Sequence, residues 1–249
     1  MDHLRVQTPG GAFSLVGHLH LDRPRPCLLV IGGAFPPKGY LHDNVDAYPG
    51  ANVIVATLPG METTWTQTDA RQMTRGLEQV AARLFGELPL VVLGVSTGNL
   101  LALDLRLPSL FEIVSVEPFL GTAHLSPFID FARSYLRRHP QDTDKAGFLK
   151  DLFGVTTAGV TDRDYGYLAA GIGAPTTVLV GKRTLDSPRQ GAAWPSLTSI
   201  ADRVALAANP HVTLEVSLPY GHNPGEDGNE IIRQRVLAAL LRASKLCVS

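Results

Sequence analysis

The sequence predicts an α/β fold with a mostly parallel central sheet. Three observations carry this. Short apolar runs that do not alternate recur along the chain, as in strands buried on both faces of a sheet. Stretches with apolar residues at three- and four-residue spacing lie between them. The composition is that of a compact globule, with hydrophobic residues at 45% and charged residues at 18% of 249 positions.

In chain order, Leu4 to Gln7 and Phe13 to Leu21 alternate weakly and read as two strands, with Pro9-Gly10-Gly11 as a hairpin connection. The non-alternating runs follow: Cys27 to Ile31, Val53 to Ala56, Leu90 to Leu93, Ile113 to Val116, Thr177 to Val180 and Val212 to Leu218. Helices are expected over Thr68 to Phe85, with Asp69 in the first turn, over Asn99 to Leu107, over Ala193 to Ala208 and over Glu230 to Ala243. Alternating strand and helix imply right-handed crossovers. From Leu120 to Gly173 no strong strand run occurs, while Ser126 to Arg138 and Lys145 to Phe153 have helical character. A structureless loop of that length is improbable. The expected organisation is therefore a core of residues 1–119 and 174–249, with residues 120–173 a helical cap inserted between two strands.

Charge and composition narrow the function classes. Lys+Arg number 22 against Asp+Glu 23, so no global field draws nucleic acid or an anionic membrane. No apolar run reaches the roughly 18 residues of a spanning helix. The first residues, MDHLRVQTPGG, lack the basic-then-apolar pattern of a secretion signal, so a cytoplasmic location is the expectation. Cys27 and Cys247 form no disulfide framework and are expected to be inert thiols. His18-Leu19-His20 places two imidazoles on one strand face without a third ligand. Gly171-Ile172-Gly173 precedes a strand rather than following one, which excludes a dinucleotide fingerprint. With no phosphate-binding loop and no H-E-x-x-H, neither a cofactor nor a metal is expected. Arg133, Arg137 and Arg138 are expected to form a solvated face.

The sharpest chemical signal is Gly94-Val95-Ser96-Thr97-Gly98, which follows an apolar run and opens a helical stretch. This is the context in which G-x-S-x-G forms a tight elbow, with the serine held in a strained conformation and its hydroxyl presented at the sheet edge. Two further segments join it: Val30-Ile31-Gly32-Gly33-Ala34-Phe35 at a strand end, and Leu58-Pro59-Gly60 after the next strand. On these residues, and on element order over nearly its whole length, the chain resembles the α/β-hydrolase superfamily. Gly32 stands where that family usually has a histidine.

The resemblance implies a nucleophile, an acid and a base in that chain order. Ser96 is the implied nucleophile. His222, in Pro219-Tyr220-Gly221-His222-Asn223-Pro224 after the last strand, is the implied base. Asp186 is the first candidate for the acid, although its loop is longer than the family's, and Glu117 at the end of the preceding strand is the alternative. The backbone amides of Thr97 and Ala34, or Gly33 in place of Ala34, are the implied oxyanion donors. Phe35, Phe119, Phe128 and Phe131, with Leu120 and Tyr135, are candidates for lining an acyl pocket shaped by the cap. The implied activity is cleavage of a small carboxylic ester through an acyl-enzyme. A thioesterase acting on an acyl-CoA or a carrier-bound acyl chain is the alternative. A non-catalytic binding protein that keeps the fold is a third reading.

Overall fold

The computed structural model describes residues 2–21, 25–35, 40–184 and 194–247. Among them eight strands form one sheet in the order β1-β2-β4-β3-β5-β6-β7-β8. The strands are β1 (Asp2–Thr8), β2 (Gly11–Gly17), β3 (Cys27–Ile31), β4 (Asn52–Thr57), β5 (Leu90–Val95), β6 (Leu110–Val116), β7 (Thr176–Gly181) and β8 (Val212–Leu218). The first two pair antiparallel, and β2 lies antiparallel on β4. All ladders from β4 to β8 are parallel. The six runs are thus the six parallel strands, but β8 departs from the expectation: Val212-Thr213-Leu214-Glu215-Val216-Ser217-Leu218 alternates, because it is an edge strand and leaves Thr213 and Val216 exposed. Every residue of β3 and β4 is buried, which explains why neither alternates.

Helices cover both faces. On one, α2 (Ala70–Phe85) and α3 (Asn99–Ala102) pack against Leu29, Ile31, Ile54 and Val92. On the other, α1 (Tyr40–Asp46) and α8 (Gly225–Ser244) flank the opposite side chains of the same strands, including Leu28, Val30, Val55 and Leu93. Between β6 and β7 run α4 (Ser126–Arg138), α5 (Thr143–Phe153) and α6 (Tyr167–Gly171), whose apolar residues merge with the core on the α2 face. Before β8 lies α7 (Ile200–Ala207). No helix among the described residues is long and apolar enough to cross a membrane.

Several boundaries depart from the sequence expectation for local reasons. Asp69 is the N-cap of α2 rather than a first-turn residue, closing a reciprocal capping box with Gln72. The helix at Asn99 stops at Ala102 instead of Leu107: the Asp104 amide already donates to the Leu101 carbonyl in a tighter turn, and the Arg106 amide donates to the Glu78 carboxylate at 2.6 Å. The helix expected from Ala193 starts only at Ile200, where Ser199 and Asp202 make a second capping box. The last helix begins at Gly225, five residues before Glu230. Neither α1 nor α6 is expected from the sequence, each being short and without a long apolar stripe.

Candidate active site

The carboxyl ends of β3, β5, β6 and β8 meet at one edge of the sheet, where open α/β sheets place their ligands. A cleft of about 540 Å³ opens there, and Ser96, Glu117, His222 and the Gly33–Phe35 turn all line it.

Ser96 follows β5 in a single 3-10 turn, Ser96–Gly98, that leads into α3. Its φ is +53°, a strained value for a residue with a side chain. The elbow can close this tightly because Gly98 has no side chain. A Cβ there would overlap the carbonyl oxygens of Ile31 and Gly32 at the end of β3. The same closeness brings the β3 turn onto the serine, so that a Cβ built on Gly33 would lie 3.1 Å from Ser96 Cβ. Ala34 and Thr97 are the residues that directly follow the two partners of this contact. Asn99, fully buried, holds the elbow to β6. Its side-chain amide donates to the carbonyls of Ser96 (3.0 Å) and Val116 (2.8 Å), and its oxygen accepts from Ser115 Oγ at 2.7 Å.

Glu117 follows β6 directly and also has a left-handed backbone, with φ of +52°. The residue is 0% exposed. One carboxylate oxygen accepts from the Gly181 amide (2.5 Å) and Ser196 Oγ (2.9 Å), the other from the Leu197 amide (2.7 Å). Burial pushes the carboxyl above the usual range, and these three donors with the nearby Arg203 oppose that rise.

His222 lies on the turn between β8 and α8. Gly221 allows the turn to press against the 194–195 backbone, where any Cβ would collide with the Trp194 carbonyl. The His222 amide then donates to the carbonyls of Trp194 and Pro195 at 3.1 and 3.2 Å, and its ring stacks on the Trp194 indole. The segment Trp194–Leu197 therefore holds both the imidazole and the Glu117 carboxylate. His222 Nδ1 is 4.0 Å from Glu117 Oε2. That nitrogen is buried with no hydrogen-bond partner among the described residues. Burial lowers the imidazole to about 4, so the ring is neutral at ordinary pH.

Asp186, the first choice of acid from the sequence, lies outside the described residues. The aromatic candidates divide. Phe35 lines the cleft, with φ of +55°. Phe119 and Phe128 do not, because they are buried among Phe153, Tyr165 and Trp194 as part of the core beneath the insertion. Phe131 also lies outside the cleft wall and meets Phe35 edge-on at 5.4 Å. The groove runs instead along the α1–α8 face, where Ala47, Tyr48, Asn229 and Ile232 line it. No cluster of His, Cys, Asp and Glu able to hold a metal occurs among the described residues.

A serine elbow at the carboxyl edge of this sheet order defines the α/β-hydrolase fold, and the chain has that fold. Solved structures agree. The carboxylesterase CesB (YbfK) from Bacillus subtilis superposes with a TM-score of 0.64 at 16% identity, covering 96% of this chain and 91% of that one. The thioesterase domain from the curacin biosynthetic pathway gives 0.60 at 17%, covering 95% and 99%. MenH from S. aureus gives 0.62 at 12%, covering 93% and 98%. No family model and no curated protein sequence matches the chain.

Proposed function

We propose that the chain is a serine hydrolase that cleaves a carboxylic ester through an acyl-enzyme. Ser96 Oγ attacks the carbonyl carbon while His222 removes the hydroxyl proton. The amides of Ala34 and Thr97 hold the negative oxygen that forms. The carbon–oxygen bond to the leaving group then breaks, and His222 returns the proton to the departing alcohol. Water, deprotonated by the same ring, attacks the acyl-enzyme, and the carboxylic acid leaves as Ser96 regains its proton. Glu117 is the acid of this set. It orients the His222 ring through Nδ1 and offsets the positive charge that the ring acquires.

The observation that carries the reading is the unpartnered, buried Nδ1 of His222, 4.0 Å from a buried carboxylate, in the cleft that Ser96 also lines. A movement of about 1 Å gives a hydrogen bond of ordinary length, and such contacts often tighten only when substrate binds. A fluorophosphonate probe tests the reading. Folded protein should be labelled at Ser96, and the His222→Ala variant should label far more slowly. Equal silence from both would favour a binding protein that keeps the fold. The likeness to a thioesterase domain, with a TM-score of 0.60 against 0.64 for the esterase, makes a thioester the second substrate to try. Relative turnover of p-nitrophenyl esters and acyl-CoA separates the two.

A further inference from the structure

The lining of the cleft is of two kinds. Asp43 on α1 and Asn229 on α8 contribute exposed polar side chains, with the half-buried Arg233 one turn beyond Asn229. Leu93, Val116, Tyr48 and Ile232 also line it and are 2%, 1%, 4% and 8% exposed. Burial pushes the Tyr48 phenol up to about 12 against the opposing effect of the Arg233 cation, so the phenol is neutral. A buried apolar wall suits a group that stays bound through both halves of the reaction. A leaving group must instead depart after the first half, which suits the exposed polar wall.

We propose that the groove between α1 and α8 is the acyl-binding site, taking the unbranched apolar acyl chain of the substrate, and that Ala47 and Ile232 set the chain length accepted. This rests on the hydrolase reading and places the acyl chain on the face of the sheet opposite the 120–173 insertion. Ala47 lies just past α1 on the groove wall and is only partly buried, so a larger side chain there has room to project into the groove.

The test uses the full chain and two readouts. Fluorophosphonate labelling of Ser96 reports the nucleophile. Values of kcat/KM for p-nitrophenyl acetate through decanoate report the groove. Each methylene that leaves water for the groove should raise kcat/KM by about fourfold until the site is full. Ala47→Phe should lower the octanoate-to-acetate ratio at least tenfold, with thermal unfolding run in parallel to show that it folds. Ala47→Leu should move it less in the same direction, and it covers the case in which the larger variant does not fold. Ile232→Ala should extend the preferred chain. The proposal falls if Ala47→Phe leaves the ratio within twofold. It also falls if Phe131→Ala, on the insertion side, shifts the ratio while the groove variants do not. Absence of labelling in the parent chain would overturn the hydrolase reading itself and the groove assignment with it.

Discussion

Replacing Glu117 by glutamine keeps the shape of the side chain and changes only what its two terminal atoms can do. In the native site both oxygens accept, one from Gly181 N and Ser196 Oγ, the other from Leu197 N. The amide has one oxygen. Its best orientation keeps that oxygen toward Gly181 and Ser196, which turns the NH₂ group toward the Leu197 amide and His222 Nδ1. The Leu197 N–H then loses its acceptor inside the protein, at a cost of about 1–3 kcal/mol in stability. The NH₂ group also donates to Nδ1, drawing the ring proton to Nε2 and leaving the tautomer that cannot accept a proton from Ser96. Holding the wrong tautomer in a triad of this kind lowers kcat by about 10⁴, or roughly 5.4 kcal/mol of barrier. The assay is steady-state hydrolysis of a short p-nitrophenyl ester, with thermal unfolding run in parallel. The expected result is a loss of about 10³-fold or more in kcat for a protein that still folds. If Glu117→Gln retains kcat within tenfold of the parent while Asp186→Asn loses it, the acid lies on the segment after β7, and Glu117 has no part in orienting the imidazole.

Three further outcomes rest on the same geometry. The His222 ring titrates near 6.5 when unfolded and at about 4 in the folded chain. Between those values the unfolded state binds a proton that the native state refuses. This contribution to stability is then complete above about 6.5 and falls by roughly 3 kcal/mol as the pH drops toward 4. Urea titrations across that window should show the parent losing more stability on acidification than His222→Gln. The acid limb of kcat/KM should likewise lie well below 6.5, and a limb at the ordinary imidazole value would contradict the burial of the ring. Gly98→Ala, which forces a Cβ onto the Ile31 and Gly32 carbonyls, should cost about 1–3 kcal/mol in urea unfolding and remove Ser96 labelling, and a variant of normal stability and labelling would show that the elbow is not closed as described.

The parts of the fold legible in the sequence are those in which burial leaves a pattern. Parallel strands covered on both faces become continuous apolar runs, so β3 to β7 can be located from residue type alone, whereas the edge strand β8 alternates. The serine elbow is equally plain, because two glycines must flank it and a strand must feed it. Short helices leave no such trace. The seven residues of α1, YLHDNVD, show no apolar stripe, yet α1 forms one wall of the cleft. The setting of Glu117 is harder to read for another reason. A backbone angle and three donors from Gly181, Ser196 and Leu197 mark it, and those donors lie far away along the chain, while Asp186, reached by counting residues past β7, lies outside the described residues. The stretch between β6 and β7 is rich in phenylalanine, which suggests a binding wall. Phe119 and Phe128 instead fill the core beneath it, as large aromatic side chains do when an apolar interior is available.

Backbone strain is an independent argument for where the chemistry lies. Among the described residues three non-glycine residues have positive φ: Phe35, Ser96 and Glu117. They follow three different strands, and all three line one cleft. Each such conformation costs on the order of 1–3 kcal/mol. Glycine would remove that cost if these positions served only to turn the chain. The residues present are a hydroxyl, a carboxylate and an aromatic ring, so the side chain has outweighed the backbone at each. The surroundings show what holds the strain. The buried amide of Asn99 bonds the carbonyl of Ser96 and that of Val116, the residue before Glu117. One side chain thereby fixes the entry to the carboxylate and the exit from the serine. Phe35 is braced by the rings of Phe131 and Tyr135 at 5.4 and 5.1 Å. A fold that only had to be stable has no reason to concentrate three unfavourable backbones at one edge and clamp two of them with a single buried amide. A site that must keep a hydroxyl and a carboxylate aimed into the same cleft does.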